Sequence, residues 1–326
     1  MKVLVTGATG LLGHRVTMEL LGLGHQVNII VRTTNNIFFD LNSVQVFKGN
    51  FTDYEQLKAA ASGCDAVIHI AAVTDVRLLH YEDYRKINVE GSAQIIRVCR
   101  ELAIRRVVYI SSSNTIGFGS KNKPATEDFP FQYPFTRSFY AKSKVEAEKL
   151  FQQFASEFGM HVIIIHPTFM IGSYDVKPSS GKLLLLGYRK PLLFIPKGGK
   201  NFVPVRDVSM AVCNALTLGK NGEHYLAAGV NLSFKEYYRL QKEIAGYRQM
   251  IIEVPDFLLK ILGRVGDLLR FLGIKTDVCT MNLSQLMIQE YYCGQKAVKE
   301  LDMPQTDLKI AIVEAIDWFK KQGRIR

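Results

Sequence analysis

The chain has 326 residues, of which 48% are hydrophobic and 22% charged, and a formal net charge of +11. This composition is typical of a folded enzyme with one large core, or a core and a smaller second domain, and it excludes a low-complexity chain. A basic chain can bind nucleic acid, but its lysines and arginines are spread along the sequence without a zinc-finger or RNA-binding signature. We therefore expect no nucleic-acid partner and attribute the charge to anionic cofactors.

The apolar stretches and the cysteines indicate the cellular location that we expect for the protein. No apolar stretch has the length of a membrane span, and the chain starts on a strand without a charged leader, so we expect a cytoplasmic protein without an integral span. The five cysteines contain no C-x-x-C pair, which predicts neither a disulfide framework nor a metal site. We interpret them as buried apolar residues or as residues without a specific role: Cys64, Cys99, Cys213, Cys279 and Cys293.

The first predicted element is an apolar strand that runs directly into a glycine-rich turn and a helix, MKVLVTGATGLLG. Gly7, Gly10 and Gly13 lack a Cβ, so the turn can adopt tight backbone angles and let a phosphate approach the main chain. The helix that follows presents free N–H groups and the positive end of its dipole. The spacing G-x-x-G-x-x-G therefore indicates a dinucleotide site, although such turns also occur for packing alone.

Short apolar runs rich in β-branched residues then alternate with segments of helical spacing. The clearest helix follows Tyr140 and ends at Gly159. Such alternation predicts an α/β fold, a Rossmann-type doubly wound parallel sheet with a smaller, mostly C-terminal α/β substrate domain. The predicted strands are Val27–Val31, Val44–Phe47, Ala66–Ala72, Arg106–Ile110 and His161–Ile165.

The end of the second strand indicates which dinucleotide binds. An acidic residue there would bond both ribose hydroxyls of NAD and repel a 2′-phosphate, but this strand end carries Arg32 instead. An arginine accommodates the 2′-phosphate of NADP, with Thr33 and Thr34 as further donors. We therefore predict NADP as the cofactor, with NAD as the alternative. The structural alternative is that Arg32 is an ordinary surface cation with no role in cofactor binding.

Ser113, Tyr140 and Lys144 are the candidate catalytic residues. Ser113 follows a predicted strand, at the edge where doubly wound sheets bind ligands. Tyr140 and Lys144 are four residues apart and share a helix face, so the ammonium can stabilise the phenolate and bring the phenol pKa toward neutrality. A serine hydroxyl can then hold the substrate oxygen. Each feature alone also occurs without function, but the set inside a dinucleotide fold predicts catalysis.

Several motifs spread over the first 210 residues support one family in combination. They are Thr6–Gly13, Asp65–Ala72, Asn88–Gly91, Ser111–Ser113, Tyr140 with Lys144, His166–Pro167 and Val203–Val208. With these motifs the chain resembles the extended short-chain dehydrogenase/reductase family, also called the NAD-dependent epimerase/dehydratase family.

The resemblance implies roles for individual residues. Ser113, Tyr140 and Lys144 would be the catalytic triad, and Asn88 would help to order a proton-relay water. Asn50 stands where the family usually has an aspartate, so the adenine contact departs from the pattern. The implied cofactor contacts are Gly7, Thr9, Gly10, Leu11, Leu12, Gly13, Arg32, Asn50, Phe51, Ala71, Ala72, Tyr140, Lys144 and Pro167.

We predict a dinucleotide-binding domain over residues 1–170 and a mainly substrate-binding domain over 171–326, with 203–220 returning to the first. Two basic-apolar segments, 182–196 and 256–274, would wall an apolar pocket, lie on a membrane surface, or simply pack the small domain. The helix near Ile310–Phe319, with Trp318, is interpreted as packing. A homodimer is a further expectation.

The reaction has three candidate interpretations. Asn114 and Thr115 follow Ser113 without an acidic pair, which disfavours a dehydratase. We favour an NADP-dependent ketone/alcohol oxidoreductase that resembles dihydroflavonol reductases and 3β-hydroxysteroid dehydrogenases and acts on an apolar small molecule. A nucleotide-sugar epimerase using NAD is the alternative, with a diphosphate clamp from later cations. A non-catalytic NADP-sensing regulator is the third. The candidate cations are Lys177, Lys182, Arg189 and Arg206.

Overall fold

The computed structural model describes all residues 1–326. The strands in chain order are β1 (Lys2–Thr6), β2 (Gln26–Val31), β3 (Gln45–Lys48), β4 (Ala66–His69), β5 (Arg106–Ile110), β6 (His161–Pro167), β7 (Phe169–Ile171), β8 (Leu192–Ile195), β9 (Gly199–Pro204), β10 (His224–Ala227), β11 (Val230–Ser233), β12 (Met250–Glu253) and β13 (Gln289–Glu290). The helices are α1 (Leu11–Gly22), α2 (Tyr54–Ala61), α3 (Tyr81–Tyr84), α4 (Glu90–Glu101), α5 (Phe139–Phe158), α6 (Gly181–Gly187), α7 (Val205–Asn214), α8 (Phe234–Ala245), α9 (Asp256–Phe271), α10 (Thr280–Met287), α11 (Gln295–Glu300) and α12 (Leu308–Lys321).

Seven parallel strands form the central sheet, in the order β10-β6-β5-β4-β1-β2-β3. The direction of the strand order reverses after β3, so the crevice outside the carboxyl ends of β1 and β4 lies at the topological switch point, where such sheets bind ligands. The predicted Rossmann-type fold is therefore confirmed.

Helices cover both faces of this sheet, as its apolar strands require. On one face α1 and α7 pack against each other and on the strands, and 29 buried residues, Val16 and Val208 among them, form the core. On the other face α2, α4 and α5 enclose 20 buried residues, including Phe151 and Ile95. These two cores hold the carboxyl edge of the sheet in place.

A third core, of 15 buried residues, lies in the C-terminal part of the chain among α6, α8, α12 and β9. β9 pairs with β7, β11 and β13, and β8 pairs with β12 in a separate two-stranded sheet. The chain crosses between the parts, because α7 packs on α1 and β10 joins the large sheet. The boundary at residue 170 stays a prediction.

The helix expected after Tyr140 is observed as α5, which ends where Gly159 adopts a left-handed backbone with φ 62°. The predicted strand 66–72 is shorter than expected, because the N–H groups of Ile70 and Ala71 turn to the Thr6 side chain instead of continuing the ladder. The segment 182–196 divides into α6 and β8, whereas 256–274 is mostly the single helix α9. Trp318 is buried in the third core. No helix combines the length and apolar character needed to cross a bilayer.

Candidate active site

The glycine turn between β1 and α1 has the shape of a phosphate cradle. Gly7 has φ +80°, and a Cβ there would lie 2.8 Å from the Ala71 nitrogen. A Cβ on Gly13 would lie 2.1 Å from the Gly7 carbonyl oxygen, so this glycine serves the close packing of helix on turn. Gly10 is exposed and faces open space beyond the Gly7 carbonyl. The first and last glycines are thus required by packing and backbone angle, and the middle one keeps the surface of the turn open.

No side chain caps the N-terminus of α1. The first N–H groups of α1 have no intrahelical partner. Among them are the N–H groups of Leu11 and Leu12, which directly follow Gly10 in the sequence. Thr9 is half-buried in the same turn, and both leucine side chains are buried in the core. The uncapped helix end and the glycine surface together fit the pyrophosphate of a dinucleotide.

Thr6, the first residue of the glycine motif, joins this turn to the neighbouring strand, a role that the motif alone does not assign. Its hydroxyl oxygen accepts hydrogen bonds from the N–H groups of Ile70 and Ala71, both at 3.2 Å, and lies 2.8 Å from Nδ1 of His69. This places Ala71 and the following Ala72 at the switch-point crevice, beside Gly7. The buried threonine at the end of β1 is the signal that would have predicted the link.

Arg32 directly follows β2 and is exposed, without an ion pair or a hydrogen bond from its side chain. Asn50 and Phe51 follow β3 at the same edge of the sheet. The Asn50 side chain accepts a bond from the Thr52 N–H at 3.3 Å, and Phe51 packs over Gly91, where a Cβ would lie 2.6 Å from its ring. Pro167 is buried at the end of β6. All of these residues therefore lie at the edge that binds ligands in this fold.

Ser112 is the serine that affects the pKa of the Tyr140 phenol. Burial raises the pKa of the Tyr140 phenol above its ordinary value, and a side-chain hydrogen bond with Ser112 partly offsets that rise. Ser113 is buried and faces Tyr292, whose hydroxyl donates to the Ser113 carbonyl at 3.3 Å. Alternate residues after β5 point in opposite directions, and Ser112 is less buried than Ser111 and Ser113, so it is a second candidate. The catalytic role of Ser113 stays a prediction.

Lys144 is buried, and its amine binds the main chain at the end of β5. Its Nζ donates to the carbonyl of Ile110 at 2.6 Å and lies 4.3 Å from the centre of the Tyr109 ring. Burial lowers its pKa to about 7. Burial is the largest cause of the raised pKa of the Tyr140 phenol. The stabilisation of a Tyr140 phenolate by the Lys144 ammonium stays a prediction.

Asn88 sits in a π-helical turn, Arg85–Val89, a distortion that frequently marks functional sites. Its amide accepts from the Val73 N–H at 2.7 Å and donates to the Val73 carbonyl at 3.1 Å and to Ser143 at 2.9 Å. The amide therefore positions the segment after β4 against α5. Its role in ordering a water stays a prediction.

A buried polar network lies behind the three serines, and sequence reasoning missed most of it. Glu148, one turn after Lys144, bonds the Ser111 hydroxyl, and its pKa is raised by burial. His166 Nδ1 lies 3.6 Å from Glu148, and its Nε2 lies 2.8 Å from His224. Burial lowers the pKa of both histidines to about 4. His166 Nδ1 also lies 3.0 Å from the Thr115 hydroxyl, so His166 is hydrogen-bonded to Thr115 and His224, with Glu148 just beyond bonding distance. Ligand atoms of Glu148, His166 and His224 lie within 4.8 Å of one another.

A cavity of about 220 Å³ opens beside Tyr140. Arg270 of α9 crosses one wall, where its guanidinium donates to the carbonyl of Leu78 at 2.8 Å. Arg137 lies at the same cavity and is exposed. Most of the remaining wall is hydrophobic and comes from the segment after β4, the start of α5 and α10: Val76, Leu78, Leu79, Phe139 and Met281.

The chain is similar to known proteins over most of its length. The model of the NAD-dependent epimerase/dehydratase family matches residues 3–228. Sterol demethylase protein B of Methylococcus capsulatus is 27% identical over 334 residues and is covered, like this chain, to 100%. The putative dihydroflavonol 4-reductase of Synechocystis sp. is 28% identical over 330 residues, which cover 99% of this chain and 95% of its own length.

Among solved structures, gox2253 is similar with a TM-score of 0.83 and 28% identity, over 99% of both chains. The family match covers more than half of the chain, including the glycine turn, Tyr140 and Lys144. The chain belongs to the NAD-dependent epimerase/dehydratase family, and it is an NAD(P)-dependent oxidoreductase of the extended short-chain dehydrogenase/reductase type.

Proposed function

We propose that this protein interconverts a ketone and a secondary alcohol on a fairly apolar substrate, with NADP as the cofactor. The observation that carries the proposal is the largely hydrophobic cavity of about 220 Å³ beside Tyr140. Apolar walls with a few placed polar groups are the usual composition of a site for a small apolar ligand. Such a cavity favours a ring or alkyl ketone over a strongly hydrated sugar.

Tyr140 would transfer the proton and Ser112 would hold the substrate oxygen. Because burial raises the pKa of the phenol, Tyr140 is protonated at neutral pH and suited to act as a general acid toward a ketone. The Ser112 hydroxyl is the polar group that partly offsets the rise in the pKa of the phenol. When bound, a nicotinamide nucleotide supplies or accepts the hydride. This assignment favours reduction as the direction near neutrality.

The residues at the switch point fit a dinucleotide. The turn around Gly10 and the first N–H groups of α1 would hold the pyrophosphate, and Ala71 would lie against the cofactor in the crevice. Arg32 has no partner within the chain, so its guanidinium is available to a 2′-phosphate. This free cation, in the absence of an acid at the end of β2, supports NADP over NAD.

The names of the similar chains agree with an apolar cyclic substrate, since one refers to a sterol and the other to a dihydroflavonol. The epimerase alternative requires cations that converge on a diphosphate. Lys182 instead pairs with Asp277 at 3.3 Å, and the Arg189 guanidinium lies 5.6 Å from the Tyr188 ring. Neither lines the cavity beside Tyr140, and neither do Lys177 and Arg206.

The test is a panel of carbonyl compounds read by loss of nicotinamide absorbance, with NADPH and NADH in parallel. We expect turnover with aromatic or polycyclic ketones and NADPH. UDP-sugars serve as the comparison, with their interconversion followed by chromatography. Activity confined to UDP-sugars with NAD would replace the proposal by the epimerase. Cofactor binding without turnover of any carbonyl compound would favour the regulator.

A further inference from the structure

Helix α9 presents large apolar side chains to solvent along one continuous stripe. Six of them, Phe257, Ile261, Leu262, Val265, Leu268 and Leu272, are between 50 and 65% exposed. At 3.6 residues per turn they occupy an arc of about 140°, the width of stripe that helices normally bury. A stripe of this width in water is a feature of interaction surfaces, because monomeric proteins rarely expose large contiguous apolar patches.

The packing of α9 fixes this orientation. The side that faces the protein carries Gly263 and Gly266, which are both buried. A Cβ on Gly266 would lie 1.8 Å from the carbonyl oxygen of Val278, and one on Gly263 would lie 2.9 Å from the Cα of Thr280. Only glycines allow this close approach, so α9 cannot rotate to bury its large side chains instead. The close packing at Gly263 and Gly266 therefore keeps the apolar stripe facing solvent.

We propose that this outer stripe docks onto the surface of an anionic phospholipid bilayer. Lys260 and Arg264 lie along one border of the stripe, and Lys275 follows the helix. All three are exposed and none forms an ion pair within the chain. Apolar side chains flanked by free cations are the composition of helices that lie in the interface of a membrane, where cations bind acidic headgroups.

Charge favours a bilayer over a second copy of the chain as the occupant. Antiparallel two-fold pairing of α9 would bring the Arg264 and Lys260 border of one copy against that of the other, in a protein whose net charge is already +11. Like charges that face each other across an interface oppose association, whereas acidic headgroups neutralise them.

The opposite side of α9 lines the cavity through Asp267 and Arg270. A bilayer docked on the stripe would then be separated from the cavity by a single helix, a distance of about 10 Å. The docking proposal does not depend on the reaction that the cavity supports.

Co-sedimentation with vesicles tests the proposal on the full chain. We expect binding to vesicles of equal parts phosphatidylcholine and phosphatidylglycerol, less binding to phosphatidylcholine alone, and release by salt. Ile261→Gln with Leu268→Gln, two exposed positions, should weaken binding about tenfold or more. Lys260→Glu with Arg264→Glu should do the same. The matched control is Ile310→Gln with Val313→Gln, on the exposed side of α12.

The control variant should bind vesicles as the unchanged protein does, and circular dichroism should show all variants folded. The proposal is overturned if the unchanged protein stays in solution, if the α9 and α12 variants bind equally, or if neutral and anionic vesicles bind alike. It is also overturned if light scattering finds a dimer that the α9 variant converts to a monomer, because the stripe then binds a second copy.

Discussion

The amine of Lys144 lies 2.6 Å from the carbonyl oxygen of Ile110, and this bond ties helix α5 to the last residue of strand β5. Tyr140 lies one turn earlier on the same helix, and Ser112 lies two residues beyond the same strand. The lysine therefore fixes the position of the phenol relative to the serine from inside the core. Its pKa of about 7 follows from that burial.

The pairing of Tyr140 with Ser112 predicts different effects for adjacent serines. Ser112→Ala should lower kcat by about 10²-fold or more, because it removes the polar group that would hold the reacting oxygen. Ser113→Ala should change kcat much less, since that side chain faces Tyr292. Steady-state kinetics of both variants measures the difference. A larger loss in Ser113→Ala would return the role to Ser113.

Tyr140→Phe should abolish turnover and leave cofactor affinity nearly unchanged, because only the proton donor is removed. Tyr133→Phe is the control, since Tyr133 is 60% exposed and its hydroxyl lies 3.2 Å from Ser284. Turnover is measured with the best ketone of the panel, and cofactor affinity by titration calorimetry. Full activity in Tyr140→Phe would contradict the assignment of the phenol.

Arg32→Ala should weaken NADPH selectively, by about 1.5–3 kcal/mol, the scale of one charge-assisted contact to phosphate. NADH affinity should change little. Arg105→Ala provides the matched control, because Arg105 is an exposed arginine just before β5, at the opposite edge of the sheet. Calorimetric titration of both cofactors decides the question. Equal affinities for NADPH and NADH in the unchanged protein would refute the preference for NADP.

His14 predicts a pH dependence of stability. Both ring nitrogens are buried without a partner, and the ring stacks on Tyr174 at 4.2 Å. Burial lowers its pKa from 6.5 to about 4, so the unfolded chain binds the proton first as pH falls. As pH falls from 6.5 to about 4, His14 should lower the free energy of unfolding by about 1.4 kcal/mol for each pH unit.

His14→Phe should remove that contribution and raise stability at low pH. Exposed His80 supplies the control variant His80→Gln, which should keep the acid-dependent loss. Denaturant unfolding of the three proteins across this pH range gives the free energies. An unchanged pH slope in His14→Phe would show that the imidazole is not held neutral.

The fold and the cofactor edge follow from local sequence signals. A glycine turn after an apolar strand and a helix that ends at Gly159 depend on backbone angles and periodicity, which short segments determine. The choice between Ser112 and Ser113 depends instead on which way each side chain leaves the strand. Strand alternation carries that information, because Ser111 and Ser113 are buried and Ser112 between them is not.

The direction of the Lys144 amine was not predictable from its spacing. Its distance of four residues from Tyr140 indicates the shared helix face but not the carbonyl that binds it, which belongs to a strand 34 residues away. The neighbouring side chains of Glu148, His166 and His224 likewise come from α5, β6 and β10. Only the folded sheet brings these three elements together. Contacts between residues so far apart in the sequence can be predicted only when the order of the strands in the sheet is known.

Transfer of a deuterium label from the cofactor to a ketone tests the proposed reaction itself. The protein is incubated with an aromatic or polycyclic ketone and NADPH that carries deuterium at the transferable C4 position, and the product is examined by mass spectrometry. If NADPH supplies the hydride and Tyr140 the proton, the product is a secondary alcohol that contains one deuterium, formed in step with NADPH oxidation and absent with Tyr140→Phe. No labelled alcohol from any apolar ketone, with UDP-sugars interconverted without net cofactor oxidation, would contradict it.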